Sequence, residues 1–157
     1  MKLPHPDWIV PDWPAPANIK AVITTRAGGV SSGPFASFNL GTRTGDDPQA
    51  VAANRERLRA VLPQEPKWLR QVHGIGVADA DTLTGIPEAD ASIARSAGIV
   101  CVVMIADCVP VLLTDRAGSV VAIAHAGWRG LAAGVLEATI ASLPVPPQRL
   151  LAWLGPA

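Results

Sequence analysis

Two histidines and one cysteine are the side chains of this sequence whose types and spacing fit a metal site. His73 and His125 each lie at the end of a predicted strand, and Cys108 directly follows a long apolar run. Imidazole nitrogen and thiolate sulfur are ligands that Zn²⁺ prefers, and three protein ligands leave a fourth position open for water. The intervals of 35 and 17 residues between successive candidates do not match a compact zinc finger. The three residues therefore indicate a zinc site of the catalytic type.

The same three residues fit two other interpretations. Cys108 is also consistent with a small buried hydrophobic residue, and His125 with a hydrogen-bonded histidine of the core. Alternatively, Cys108 is the nucleophile and His125 the base of a cysteine hydrolase that needs no metal. Asp107 would then orient the pair, although adjacent residues of a strand point to opposite faces, which weakens that role. The spacing leaves all three interpretations open.

A Gly-rich turn that follows His125 is the first candidate for binding an anion. Residues 127–130 (GWRG) connect a predicted strand to a predicted helix. The side chain of Arg129 and the backbone of Gly130 would then lie at the positive end of the helix dipole, where anions bind. The alternative is a turn without a ligand, in which Trp128 packs in the core.

A second candidate is the Gly/Ser-rich loop over residues 26–41, which begins with Arg26 and contains Asn39. Both side chains could line a pocket for an oxyanion. The loop is not a P-loop, because no Lys-Ser/Thr pair follows its last glycine, and Val30 replaces a glycine of the dinucleotide fingerprint. The alternative is a surface loop with a solvated arginine.

The elements that position these residues are predicted from hydrophobic patterning, which indicates an α+β or α/β chain. The run 99–107 is nearly continuous in apolar residues, which is typical of a strand buried on both faces. Asp46, Asp47 and Pro48 supply an N-cap and a proline suited to the first helical turn. Helices are expected over residues 49–62 and 131–143, and strands over residues 20–25, 68–73, 99–107, 111–114, 119–126 and 150–154.

Length and composition predict a single domain over residues 1–157. The chain is 49% hydrophobic and 17% charged, which excludes an intrinsically disordered protein. Thirteen basic and thirteen acidic residues give a net charge of zero, which argues against an electrostatic partnership with nucleic acid. Five prolines in the first 18 residues predict an extended arm over residues 1–19, held by Trp8 and Trp13.

The same sequence favours a cytoplasmic protein. Its first residues contain no apolar segment of a signal peptide, and the longest apolar stretch, residues 98–106, is far shorter than the ~20 residues that span a membrane. Cys101 and Cys108 would lie roughly 23 Å apart in an extended strand, which is too far for a disulfide. Reduced thiols are typical of the cytoplasm.

The motifs around these candidates resemble those of the laccase-domain family, long labelled multicopper polyphenol oxidase and now assigned as zinc-dependent purine nucleoside phosphorylase. The resemblance runs from about residue 20 to the end of the chain, with the motifs in the family's order. The motifs are residues 24–31 (TTRAGGVS), 38–41 (FNLG), 45–46 (GD), 71–73 (QVH), 106–110 (ADCVP) and 124–130 (AHAGWRG).

The resemblance implies that His73, Cys108 and His125 are the zinc ligands and the catalytic centre. It also implies layered mixed β-sheets flanked by helices, and phosphorolysis of adenosine, inosine, guanosine and methylthioadenosine, accompanied by deamination of adenosine. On charge and motif position, we expect Arg26, Arg129 and Gly130 to bind phosphate and Asn39 to position the nucleoside. A monomer or weak homodimer is expected.

This chain differs from family members in length, and its histidine count does not fit the family's older label of multicopper oxidase. Family members continue for about half as long again beyond residues 154–156, so we expect the C-terminal part of the family domain to be absent. An inactive zinc-binding fragment is therefore an alternative function. The sequence has three histidines, one of them His5 in the proline-rich arm, which is too few for the oxygen-reducing cluster of a multicopper oxidase. Copper is accordingly less expected than zinc.

Overall fold

The computed structural model describes Leu3 and residues 5–157, which form two compact units. The first unit contains the described part of residues 1–11 together with Ala21–Glu65, and the second contains Asp12–Lys20 together with Pro66–Ala157. The predicted arm over residues 1–19 thus contributes to both units, and its residues Met1, Lys2 and Pro4 lie outside the described residues. The prediction of a single domain over residues 1–157 stays a prediction.

The first unit is built around helix α1, Pro48–Arg59. The Asp47 side chain caps this helix by accepting a hydrogen bond from the backbone N–H of Gln49 at 3.0 Å. The predicted helix is confirmed, although it ends at Arg59 and not at residue 62. One face of α1 is buried, and its residues there are Val51, Asn54 and Leu58.

Two aromatic side chains complete the core of the first unit. Trp8 and Phe38 are both buried, and their ring centroids lie 5.0 Å apart. The predicted strand over residues 20–25 is wrong, because only Ile23 pairs, in an isolated antiparallel bridge with Ile9. The partner segment soon reaches Pro11, which has no N–H to continue a ladder.

The second unit contains a mixed sheet of five strands, which confirms the α+β class. Its strands are β1 (Val77–Asp79), β2 (Ala91–Ala94), β3 (Val109–Asp115), β4 (Val121–Ala126) and β5 (Leu150–Leu154). The spatial order is β1-β2-β4-β3-β5, with β1 and β2 parallel and the other pairs antiparallel. Strands β3, β4 and β5 confirm the predictions for those regions, whereas β1 and β2 were not predicted.

Two predicted strands, residues 68–73 and 99–107, are wrong. Each of these segments makes only an isolated bridge, Arg70 with Glu88 and Lys67 with Cys101. Part of the reason is Gln71, whose side-chain amide donates to the carbonyl of Met104 at 2.8 Å and accepts from its N–H at 2.7 Å. The Gln71 side chain thereby occupies the backbone groups of Met104 that a strand partner would pair.

Two short helices follow β4 in place of the single predicted helix over residues 131–143. They are α2 (Trp128–Ala133) and α3 (Val135–Ala141), separated by Gly134 in the left-handed conformation with φ of 102°. Val135 joins the core formed by Ala122, Ala124 and the other apolar residues on one face of the sheet. His125 points to the opposite face of β4. No helix within the described residues is long and apolar enough to cross a membrane.

Candidate metal centre

His73, Cys108 and His125 converge in the second unit. Their ligand atoms all lie within 4.8 Å of one another. The Sγ atom of Cys108 is 3.7 Å from Nε2 of His73, close to the roughly 3.6 Å expected between a sulfur and a nitrogen ligand of one tetrahedral Zn²⁺. His125 is buried, at 4% exposure, whereas Cys108 is partly accessible. The donor set and its spacing therefore fit a bound metal ion, and one of the three side chains is accessible to solvent.

The register of two strands brings two of these ligands together. Strand β3 begins at Val109, which pairs with Ala126 of β4. Cys108 therefore lies directly before β3, close to the point where the chain leaves β4 at Gly127. His125 pairs with Pro110 in the same ladder. The short separation of Cys108 and His125 in space thus follows from the antiparallel pairing of β3 and β4.

Gly127 leaves the space that the ligands occupy. A Cβ atom at this position would lie 2.7 Å from Sγ of Cys108 and 3.0 Å from Cδ2 of His73. Both distances are shorter than a normal van der Waals contact. The glycine in the His-Ala-Gly-Trp-Arg-Gly segment is therefore required by the packing of the centre.

Asp90 supports both histidines and was not identified from the sequence. Its carboxylate accepts a hydrogen bond from Nδ1 of His125 at 2.8 Å, which directs Nε2 of that ring toward the cluster. The same carboxylate accepts the backbone N–H groups of Val72, His73 and Gly74 at 3.0, 2.9 and 2.8 Å. One buried side chain thus fixes the ring of His125 and the turn that carries His73.

The conformation of His73 explains why this turn needs support. Its φ of 59° lies in the left-handed region, which is uncommon for a residue other than glycine. Burial alone would raise the pKa of Asp90, but the hydrogen bonds from His125 and the three backbone N–H groups outweigh it and lower the pKa. Asp90 therefore carries a negative charge that supports the turn and faces His125. The sequence offers no motif for it, only an acidic residue ahead of the short strand β2.

The surroundings of Cys108 bear on the interpretation as a metal-free nucleophile. Burial raises the pKa of its thiol, the neighbouring Asp107 adds to the rise, and Arg129 opposes it. A cysteine nucleophile is activated by a lowered pKa, which these surroundings do not provide. A coordinated metal cation would supply the positive charge that stabilises a thiolate, whereas a cysteine hydrolase would rely on a neighbouring imidazole as base.

Arg129 and Gly130 lie in helix α2, a few residues beyond the candidate ligand His125. Arg129 is exposed, and its guanidinium carbon is 5.1 Å from the centroid of the Trp128 ring. Gly130 is buried, and a Cβ atom there would lie 3.3 Å from the carbonyl oxygen of Gly74. Arg129 is thus accessible beside the centre, whereas Gly130 lets α2 approach the turn after His73. Their roles in phosphate binding stay predictions.

Arg26 and Asn39 belong to the first unit, where their polar atoms have partners. Nε of Arg26 donates to the carbonyl of Ala36 at 2.9 Å. Nδ2 of Asn39 donates to Oγ1 of Thr44 at 2.8 Å and to the carboxylate of Asp46 at 3.0 Å. These contacts order the Gly/Ser-rich loop. The roles of Arg26 and Asn39 toward phosphate and nucleoside stay predictions.

Comparison with known sequences gives consistent matches. Residues 20–157 match the profile of the family described as multi-copper polyphenol oxidoreductase laccase. A Pseudomonas aeruginosa protein named purine nucleoside phosphorylase is 57% identical over 150 residues, covering 96% of this chain and 62% of its own length. The Escherichia coli protein named purine nucleoside phosphorylase YfiH is 54% identical over 155 residues, covering 95% of this chain and 63% of its own length. The chain thus spans less than two thirds of these relatives.

Solved structures share the fold. A crystal structure of a Neisseria meningitidis protein superimposes with a TM-score of 0.91 at 53% identity, covering 96% of this chain and 63% of that one. The crystal structure of YlmD from Geobacillus stearothermophilus superimposes with a TM-score of 0.79 at 33% identity, covering 90% of this chain and 58% of that one.

Proposed function

The chain belongs to the laccase-domain family, and on that premise we propose that it is a zinc-dependent purine nucleoside phosphorylase. The proposed reaction cleaves adenosine, inosine, guanosine or methylthioadenosine with phosphate, giving the free base and a ribose 1-phosphate or its methylthio analogue. The observation that carries the proposal is the convergence of His73, Cys108 and His125, whose ligand atoms lie within 4.8 Å of one another. The names of the curated relatives supply the reaction class.

Zinc is the proposed metal because of the donors and their support. Two imidazoles and one thiolate form a ligand set of the open catalytic type, and Asp90 holds His125 by its other ring nitrogen. A bound Zn²⁺ would supply Lewis-acid chemistry at the open position, where it polarises an oxygen of water or substrate. A multicopper cluster needs more histidine ligands than this sequence contains, since it has three histidines in all.

Phosphorolysis sets two demands on the protein. A phosphate oxygen forms a bond to the anomeric carbon of the ribose while the bond from that carbon to the base nitrogen breaks, and the leaving base gains a proton. The phosphate must be held against a sugar that develops positive charge, which requires cationic groups and backbone N–H donors. We assign this role to Arg129 and Gly130. Phosphate binding by Arg26 and nucleoside positioning by Asn39, which both belong to the first unit, are proposed separately on charge and motif position. The exposure of Arg129 beside the metal ligands supports the first assignment.

Deamination of adenosine is the proposed second activity. Water adds to the ring carbon that bears the amino group, and ammonia leaves to give inosine. The observation that favours it is the three-ligand site, whose open position suits an activated water. We also propose a cytoplasmic location, which the free thiols of Cys101 and Cys108 support, and a monomeric or weakly dimeric state.

The test is a paired measurement of bound metal and product. Purified chain, analysed for metal, is incubated with adenosine or inosine with and without phosphate, and the bases and ribose 1-phosphate are resolved by chromatography. About one zinc per chain and a phosphate-dependent release of base are expected. Cys108→Ala and His125→Ala should lose zinc and product together. Cys101→Ala is the matched control, since Cys101 is a free thiol outside the cluster.

Three results would redirect the proposal. A metal-free chain that still reacts through Cys108 would indicate the cysteine hydrolase. Zinc without product, while the longer Pseudomonas aeruginosa relative is active under the same conditions, would indicate an inactive zinc-binding fragment. Retention of zinc by Cys108→Ala or His125→Ala would show that the ligand assignment is wrong.

A further inference from the structure

Trp128 is unusually accessible for a tryptophan. All five tryptophans of the sequence lie in the described residues, and Trp8 and Trp68 are buried at 4% and 8% exposure, whereas Trp128 is 72% exposed. This overturns the alternative in which Trp128 packs in the core. Leaving an indole ring in water forgoes the stabilisation that its burial would bring, so such exposure commonly marks a binding surface.

Other exposed apolar side chains lie on the segments that carry the metal ligands. Leu131, one helical turn beyond Trp128 in α2, is 42% exposed. Val72 and Ile75, which flank His73 and Gly74, are 45% and 47% exposed. Helix α2 packs closely on this turn, since a Cβ atom at Gly130 would lie 3.3 Å from the carbonyl oxygen of Gly74. We call these exposed apolar side chains, which lie on two closely packed segments, the apolar border of the candidate metal centre.

The position of Trp128 relative to the ligands is fixed by its neighbour. A Cβ atom at Gly127 would lie 2.7 Å from Sγ of Cys108 and 3.0 Å from Cδ2 of His73, and Trp128 is the next residue. The guanidinium of Arg129 lies 5.1 Å from the centroid of the indole ring, which is within the range of a cation–π contact. At the edge of the centre, the face of Trp128 is thus suited to stack on a planar ring, and the neighbouring guanidinium of Arg129 is suited to bind an anion.

We propose that Trp128 is the surface on which the purine base of the nucleoside stacks, bordered by Val72, Ile75 and Leu131. The inference rests on the proposed function, because it names the part of the substrate that this surface binds. Stacking of a base on an aromatic side chain strengthens binding by roughly 5- to 150-fold and depends little on which base is bound. Adenine, hypoxanthine and guanine all offer the same bicyclic face. Trp128 thus contributes affinity for purines as a class rather than selection among them.

The test measures nucleoside binding separately from turnover. Zinc-loaded chain is titrated with adenosine, inosine and guanosine by isothermal calorimetry, and KM values for nucleoside and phosphate are measured in parallel. Trp128→Ala should weaken the binding of all three nucleosides by roughly 5- to 150-fold and leave the zinc content unchanged. Trp128→Phe, which keeps an aromatic face, should restore most of the affinity. Ile86→Ala, at a residue 62% exposed outside the border, is the control.

The outcomes separate this inference from the proposed function. Nucleoside binding that depends on Trp128 in a chain without phosphorolysis would support the inference while the proposed activity fails. Phosphorolysis with unchanged nucleoside affinity in Trp128→Ala would overturn the inference alone. Absence of nucleoside binding in every variant would also overturn it. A change in self-association in place of nucleoside affinity, seen by sedimentation, would show instead that the surface is an interface between copies of the chain.

Discussion

Two fully buried polar side chains, Asn54 in the first unit and Asp90 in the second, hold irregular backbone in place by different chemistry. The amide of Asn54 accepts from the N–H of Val30 at 2.9 Å and donates to Oγ of Ser31 at 3.0 Å and to the carbonyl of Asn39 at 2.9 Å. The carboxylate of Asp90 accepts three backbone N–H groups and the Nδ1–H of His125. One side chain both donates and accepts, whereas the other only accepts.

The difference shows what a buried charge adds to a structural support. A neutral amide satisfies a loop that offers both N–H and carbonyl groups, and it costs no ionic desolvation. A buried carboxylate is costly unless several donors compensate it. Asp90 has those donors, and its negative charge also faces a histidine that would ligate a cation, which strengthens that ligand. We therefore infer that Asn54 supports structure alone, whereas Asp90 supports structure and metal affinity.

The largest expected effect comes from Asp90→Asn. The new amide places an NH₂ group among the N–H donors, so the turn at residues 72–74 and the ring of His125 lose partners. Zinc affinity should fall by roughly 10- to 100-fold, and the free energy of unfolding by about 3–5 kcal/mol. Competition with a chromophoric chelator gives the first value, and urea unfolding of the metal-free chain gives the second. Unchanged zinc affinity would remove the distinction between Asp90 and Asn54.

Asn54→Ala tests the other side of the comparison. Removing the amide takes a hydrogen-bond partner from Val30, Ser31 and Asn39, in bonds that are buried or partly buried, and a buried group left without a partner costs about 1–3 kcal/mol. We expect the free energy of unfolding to fall by about 2–4 kcal/mol while the zinc affinity of the folded chain stays at the wild-type value. The same chelator competition and urea unfolding apply. A loss of zinc affinity equal to that of Asp90→Asn would contradict a purely structural role.

The two supports also show how far the sequence predicts the site. The three residues of the candidate metal centre were found because histidine and cysteine are scarce residue types in this sequence and lie in specific motifs. Asp90 was missed because a carboxylate in an unpatterned segment looks like any surface acid, and its four donors are brought to it only by folding. Asn54 was missed for the same reason, since a polar residue in a helix gives no sign that it faces inward.

The secondary structure, too, was predicted correctly where the signals are local in sequence and wrongly where they depend on distant segments. Helix α1 was predicted because its cap at Asp47 and its apolar spacing are local. The strand predicted over residues 99–107 is wrong because an apolar run indicates burial and does not specify a pairing partner. Strands β1 and β2 have three and four residues, which is too short for alternation to be recognised. Pairing with distant segments decides these cases.

Gly127→Ala should give a smaller effect that is confined to the metal centre. Its Cβ atom would lie 2.7 Å from Sγ of Cys108, so the ligands must shift by a few tenths of an ångström. We expect zinc affinity to fall roughly 10-fold, as for other disturbances of ligand geometry. Gly41→Ala in the first unit is a matched control, because its Cβ atom would lie 2.6 Å from the movable Cγ2 of Thr44. Equal zinc affinities in the two variants would show that the close packing at Gly127 has no role in metal binding.

The smallest expected effect is the pH dependence of the stability of the first unit. Oγ of Ser31, which accepts from Asn54, donates to the carboxylate of Asp46 at 2.6 Å, so the network around the neutral amide ends on a charged group. This hydrogen bond lowers the pKa of Asp46 below its ordinary value of 3.8, against the opposing effect of burial and with help from Asn39. The stability that the ionised carboxylate adds is therefore fully present above pH 3.8 and is lost as pH falls through the lowered pKa.

Urea unfolding of the wild type and of Asp46→Asn between pH 2.5 and 6 tests this assignment. The two curves should run parallel at the upper end and converge below the ordinary pKa of 3.8. The same pair of curves is then measured with Asn54→Ala present in both chains. The difference in free energy of unfolding between Asp46 and Asp46→Asn should be smaller there, because Ser31 loses its amide donor and is less well fixed toward Asp46. A separation that persists at the lowest pH would show that the effect of Asp46 does not depend on its charge. The network around Asn54 would then be independent of the charge on Asp46, and a charge-dependent support of the backbone would be particular to Asp90 in this comparison.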